Sequence, residues 1–314
     1  MEWIKFGNIY NIENGSGWRH SHTHKPTVLV LEKKIRVYFG VRDESNHTRT
    51  TYVDLNKEDL TQVIYEHNNA VLDLGELGAF DDEGANVSSI VMHNEDLYMY
   101  FIGWNTGKTV PSRNASGLAI SNDKGENFKR ISDGPVMGIN RLDPFFVVAP
   151  FVIIEDSIWK MWYTSGTSWK VINEKPEIHY HIKYAESSDG IVWDIQNISA
   201  IPPAHEFECT ARPSVIKYQG KYHMWFSHRS MVDFRTSSGN SYRIGYAHSE
   251  DGISWVREND IGGIKTSDEG WDSKMVAYPS VFELDDSLYM IYNGNGFGKT
   301  GFGLAKLNDI KNLR

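Results

Sequence analysis

Arg212-Pro213-Ser214-Val215, then the turn Gln219-Gly220, then Tyr222-His223-Met224-Trp225-Phe226, read together as two β-strands joined by a tight turn. Proline starts the first strand, glycine supplies the turn, and the aromatic run is β-prone. The same phrase recurs along the chain. Its openings are Lys25-Pro26-Thr27-Val28, Asn86-Val87-Ser88-Ser89-Ile90, Ala149-Pro150-Phe151-Val152 and Tyr278-Pro279-Ser280-Val281. Anchored on Pro26, Val87, Pro150, Pro213 and Pro279, the intervals are 61, 63, 63 and 66 residues. A fixed period of this length marks a repeat architecture. It also places function near the axis about which the repeats are arranged.

Each repeat carries further anchors. Aromatic second strands follow at Val37-Tyr38-Phe39, Leu97 to Phe101, Trp159 to Tyr163 and Leu288 to Tyr292. Third strands read at Thr51 to Asp54, Gly117 to Ile120, Lys183 to Glu186, Gly245 to His248 and Gly303 to Lys306. The turns Ser188-Asp189-Gly190 and Glu250-Asp251-Gly252, each followed by a tryptophan strand, are strong hairpin signals. Each unit therefore reads as a four-stranded antiparallel meander. Radial repetition of such units predicts an all-β fold, a five-bladed β-propeller forming one domain over residues 1–314. A sandwich array would need units of about 100 residues. The first unit lacks the Asp-Gly hairpin, and the last ends soon after its third strand. Residues 1–12 are therefore expected to supply the missing outer strand and close the ring.

Composition narrows the function. The net charge is −9 with no long basic run, which argues against nucleic acid. No stretch approaches about eighteen consecutive apolar residues, so no membrane span is expected. The first residues lack the basic start and apolar core of a signal peptide. The lone Cys209 rules out an internal disulfide. These features together predict a cytoplasmic setting. One sequence carries no signal of oligomeric state.

The segments leading into the first strands, and the ends of the second strands, should line the central mouth. Arg42, Trp104, Asn105, Arg212, His228, Arg229, Trp271, Tyr278 and Asn293 fall there and are candidate substrate-binding residues. Tryptophan stacks on a sugar face, and planar donors fork to hydroxyls or a carboxylate, so a saccharide is the expected partner. Asp82, Asp143, Glu208 and Asp272 are candidate catalytic carboxylates. Paired carboxylates perform acid/base work on glycosidic bonds; the competing reading is ion pairing of Asp143 and Glu208 with Arg141 and Arg212. His20, His22 and His24 alternate and would share one strand face. His22 and His24 are thus candidate ligands for a divalent metal, or simply surface histidines. No other cofactor is implied. Arg42, Arg212 and Arg229 read equally as clamps on a carboxylate or phosphate and as internal salt bridges.

The layout resembles the five-bladed propeller glycosidases: glycoside hydrolase family 43, the invertase and levansucrase group, and the mannoside phosphorylases of family 130. Val37-Tyr38-Phe39-Gly40-Val41-Arg42-Asp43-Glu44, Tyr180-His181-Ile182-Lys183-Tyr184-Ala185-Glu186 and Tyr292-Asn293-Gly294-Asn295-Gly296 are similar to a group of uncharacterised glycosidase-like propellers associated with polysaccharide biosynthesis. The resemblance implies a carbohydrate-active enzyme acting on a glycosidic bond or an activated sugar. Family 43 enzymes use three axial carboxylates. By position Asp143-Pro144 matches the tuning aspartate and Glu208 the general acid. Where the base would fall, at His24-Lys25, no carboxylate stands, so Asp82 or Glu83 in the second unit, or Asp272 in the fifth, would have to substitute. The rival readings are a sugar-binding propeller without turnover and a metal-dependent enzyme using the histidines.

Overall fold

The computed structural model describes residues 1–308. Its strands, in chain order, are β1 (Trp3–Tyr10), β2 (Ser21–Val30), β3 (Lys34–Arg42), β4 (Thr48–Asn56), β5 (Val63–Glu66), β6 (Gly84–His93), β7 (Asp96–Thr106), β8 (Ser112–Ser121), β9 (Lys129–Arg130), β10 (Val147–Glu155), β11 (Ile158–Ile172), β12 (Lys175–Ser187), β13 (Asp194–Ile201), β14 (Glu208–Tyr218), β15 (Lys221–Ser230), β16 (Arg243–Ser249), β17 (Val256–Arg257), β18 (Ala277–Leu284), β19 (Ser287–Asn293) and β20 (Phe302–Leu307). They pair as antiparallel four-stranded groups: β2-β3-β4-β5, β6-β7-β8-β9, β10 to β13, β14 to β17, and β18-β19-β20-β1. One parallel bridge, Thr48 to Gly84, links the first two groups. This is the arrangement of a β-propeller. Among the described residues no helix is long and apolar enough to cross a membrane.

The deciding stretch folds as read. Ser214 pairs with Trp225 and Tyr218 with Lys221 across the Gln219-Gly220 turn. Both turn residues have positive φ, 50° and 84°. That mirror-image turn matches the twist of the strands it joins. Asn94-Glu95, Asp156-Ser157 and Asp285-Asp286 adopt the same handedness at the equivalent corners. The first group finds its fourth strand without an Asp-Gly hairpin: β5 returns along β4. The segment 3–10 pairs with β20, from Trp3 opposite Leu307 to Tyr10 opposite Phe302.

Each innermost strand carries a β-bulge at the same height, and β2 has a second irregularity between Ser21 and His24. The bulges fall between His24 and Thr27, Val87 and Ser89, Val148 and Phe151, Ala211 and Ser214, and Ala277 and Ser280. This register corrects the anchor of the second repeat. Ser88, not Val87, stands where the other units have proline. A serine hydroxyl one residue further on accepts the backbone N–H of the next inner strand: Val152 donates to Ser89 (3.1 Å), Val281 to Ser214 (2.9 Å) and Val28 to Ser280 (3.0 Å).

A second ladder runs further out. Tyr38 donates to the Gly125 carbonyl (2.8 Å), Tyr100 to Gly190 (2.7 Å) and Trp162 to Gly252 (2.8 Å), each reaching from one group to the turn of the next. Those glycines have φ of 79°, 73° and 77°, where a Cβ is strained. The apolar cores lie between successive groups. One of them packs Val37, Phe39 and Val53 of the first group on Ile291 and Leu304 of the last. The innermost strands touch in the cyclic order β2, β6, β10, β14, β18 and back to β2.

Candidate axial site

Four carboxylates stand at the entry to the inner strands, each buried and each bound to a cation of its own group. Asp81 meets Arg130 at 2.7 Å, Asp143 meets Lys183 at 2.9 Å, Glu208 meets Arg257 at 2.7 Å, and Asp272 meets Lys5 at 2.7 Å. The three aspartates lie seven residues before Ser88, Pro150 and Pro279. Repetition in four different groups marks the pair as a latch between the inner strand's entry and the third or fourth strand of its group. Asp143 also accepts from Ser165 (2.6 Å) and Tyr163 (3.2 Å), Glu208 from Ala204 N–H (2.6 Å), and Asp272 from Tyr292 (3.0 Å). Ion pairing of Asp143 and Glu208 is thus present, with Lys183 and Arg257 as the partners rather than Arg141 and Arg212.

These contacts set the ionisation. Burial pushes Asp143 up, but Ser165 and Lys183 outweigh it and hold the carboxyl below its ordinary value. Burial likewise opposes ionisation of Glu208, and Arg257 with His228 (3.1 Å) reverses this and drives it far below the usual carboxylate range. At neutral pH both are anions. A general acid needs the opposite shift. Asp82 accepts from the Gly78 N–H at 2.8 Å and caps its loop, with its other oxygen buried and unpartnered.

The remaining candidates divide. Asn293 is consumed internally: it accepts from Lys25 N–H (2.9 Å) and donates to Thr23 (2.8 Å) and Gly301 (2.9 Å), tying the last group to the first. Arg229 is buried against the Phe234 ring (3.5 Å) and donates to the Tyr180 hydroxyl (2.8 Å). Trp271 packs on Tyr292 with ring centroids 5.2 Å apart. Trp104 covers Gly84, where any Cβ would strike the indole. Asn105 lines a cleft of about 650 Å³ with Phe80, Asn114, Phe145 and Trp169.

Where the innermost strands meet, His22, His24, Lys25, Arg42, Asn86, Arg212 and Tyr278 cluster. Lys25, Arg212 and Tyr278 occupy the bulge position ahead of proline, all left-handed, with φ of 56°, 52° and 56°. Ala149 holds that position in the third group, with φ of 50°. A bulge re-aims its side chain. Arg212, 1 % exposed, crosses from β14 to β2 and donates to Pro26 O (3.1 Å) and Thr27 Oγ1 (2.9 Å). Lys25 Nζ lies 3.4 Å from His24 Nε2 and 5.3 Å from the Tyr278 ring centroid. Asn86 Nδ2 stands 3.1 Å from His24 Nδ1. Lys25 was not among the candidate site residues read from the sequence; its place before the recurring proline was the signal for one.

Burial, then Arg212 and Arg42, push the Lys25 ammonium down to about 7. Burial, then Arg42, Lys299 and His20, push His22 down to about 4. Arg42 is lowered by burial. The donor set does not fit a cation. Cationic neighbours surround His22 and His24, and His22, at φ 66°, leaves the regular alternation of the strand. Among the described residues no group of three or more His, Cys, Asp or Glu side chains stands at metal-holding distances.

No protein-family profile matches the chain. Over its fold it is similar to BT0996 in its RGII complex (TM-score 0.75, 15 % identity, covering 98 % of this chain and 92 % of that protein). It is also similar to a glycosyl hydrolase from Bacteroides ovatus (0.71, 14 %, 99 % and 94 %) and to a thermostable family-43 glycoside hydrolase (0.62, 18 %, 95 % and 90 %). At such identities the likeness is one of fold: that of the propeller glycoside hydrolases. In sequence the chain is 36 % identical over 311 residues, 98 % of its own length and all of the relative's, to the uncharacterized proteins MT1551 and Rv1502 of two Mycobacterium tuberculosis strains. The chain belongs to the same family as Rv1502 of Mycobacterium tuberculosis.

Proposed function

We propose that the chain is a glycoside hydrolase-like, carbohydrate-active protein, built as a single five-bladed β-propeller closed by β1, with its saccharide held over the central mouth. The cyclic contacts of the inner strands and the core joining the first group to the last support the ring. The observation that carries the function is the cluster of partly exposed donors at the mouth, His22, Lys25 and Arg42, on a fold shared end to end with glycoside hydrolases. Charged and planar donors of this kind recognise polyhydroxylated ligands.

Turnover by Glu208 as acid with Asp143 as tuner or base requires Glu208 to leave Arg257 and take up a proton. The ion-paired state of all four latch carboxylates therefore favours a second reading, saccharide recognition without ordinary acid/base hydrolysis. The test is a glycan-binding array run beside a panel of nitrophenyl glycosides and oligosaccharides, with and without phosphate. Binding to a defined glycan class, abolished in Arg42→Ala, is the expected result. Glycan turnover lost in Glu208→Gln at retained folding would select the hydrolase reading. Binding without turnover would select the second, and no glycan binding at all would overturn both.

A further inference from the structure

Resting on the reading of the mouth as a saccharide site, we infer that it recognises an oxyanion carried by the sugar, a uronate carboxylate or a phosphate, through Lys25 and Arg42 with Arg212 beneath them. Elsewhere in the fold several buried or half-buried cations have an anion, and the buried Arg229 stacks on the Phe234 ring instead. Arg36 is bound to Asp54, Arg130 to Asp81, Lys183 to Asp143 and Arg257 to Glu208. Among the described residues no carboxylate forms a salt bridge with Lys25, Arg42 or Arg212. Three cations thus converge from β2, β3 and β14 with no anion of the chain to balance them. A buried, uncompensated charge is unfavourable and persists where something repays it.

Polar atoms left without partners point the same way. Arg212 Nε is buried with no acceptor, and Asn86 Oδ1 is buried with no donor. Lys25 and Arg212 are held left-handed ahead of prolines, a strained backbone found where a side chain must be aimed. Arg212 is too buried to be reached by a whole sugar, so it acts as a fixed positive floor. Lys25 and Arg42 are partly exposed and supply the contacts, Arg42 as a fork matched to a carboxylate or phosphate edge. His22 and His24 are neutral near pH 7 and offer hydrogen bonds to ring hydroxyls.

The test is calorimetric titration of the full chain with glucuronate, glucose 6-phosphate and glucose, at low and at high sodium chloride. The expected result is binding of at least one charged sugar roughly tenfold or more tighter than glucose, with the gap closing as salt rises. Preference between the two charged sugars assigns the oxyanion as carboxylate or phosphate. Arg42→Gln, on the partly exposed rim, and Lys25→Met should each remove most of the preference for the charged sugar over glucose. Glucose binding as tightly as both charged sugars would overturn the inference and leave the saccharide reading standing. A preference for a charged sugar that survives both substitutions would also overturn it. Failure of all three sugars to bind, with glycan-array binding intact, would overturn the inference alone; failure of the array as well would remove the reading beneath it.

Discussion

Lys25 and Asp143 show how one residue's surroundings decide its work. Lys25 faces His22 and His24 on its own strand, Arg42 on β3, Arg212 on β14 and Tyr278 on β18, with no carboxylate among them. Its ammonium titrates at about 7. Anion binding favours the protonated form, so affinity for a charged sugar should be greatest below pH 7 and fall as pH rises through it. Arg42 and Arg212 stay charged, and the two histidines are already neutral across that range. Titration of wild type and Lys25→Met from pH 6 to 8.5 checks this: the slope should vanish in the variant. Asp143 is the opposite case, a carboxylate with every contact internal. Asp143→Asn leaves Lys183 buried without its anion and should cost about 3–5 kcal/mol in urea denaturation. Adding Lys183→Met should recover part of that loss. In the sequence both residues were visible as polar groups near a proline. Their roles were not, because the partners lie far along the chain: Lys183 is 40 residues from Asp143, and Lys5 is 267 from Asp272.

At the scale of the element, the strands were legible because aromatic, β-prone runs and turn residues are local signals. The bulge was not, since it has no composition of its own. Where proline marks it, the anchor was right; where Ser88 replaces proline, the reading slipped by one residue. The alternating histidines were misleading for the same reason, because the left-handed His22 breaks the strand's alternation. The aromatic-to-glycine ladder joins two elements that sequence reading kept apart. Gly190→Ala would place a methyl 2.7 Å from the Tyr100 hydroxyl at a φ of 73°. It should destabilise the chain by about 1–3 kcal/mol, read from the thermal midpoint. Tyr100→Phe, which removes only the hydrogen bond, should cost about 0.5–1.5 kcal/mol.

For the whole molecule, the period carried the architecture and the paired ends carry its integrity. Strand β1 covers β20, and Trp3 donates to Gly262 at 3.1 Å, where Trp225 also donates. Deleting residues 1–10 should expose an edge strand and produce association or loss of the cooperative transition, seen by size-exclusion chromatography and circular dichroism. The carboxylates used for structure and the cations left over at the mouth divide the charges: Asp81, Asp143, Glu208 and Asp272 are ion-paired inside their groups, while Lys25, Arg42 and Arg212 are not. The most direct test of that division is the unfolding free energy of Glu208→Gln. The expected result is a loss of about 3–5 kcal/mol, because Arg257 loses its buried partner. A variant as stable as the wild type, or more stable, would contradict it and return Glu208 to the role of a catalytic carboxylate held at a cost to stability.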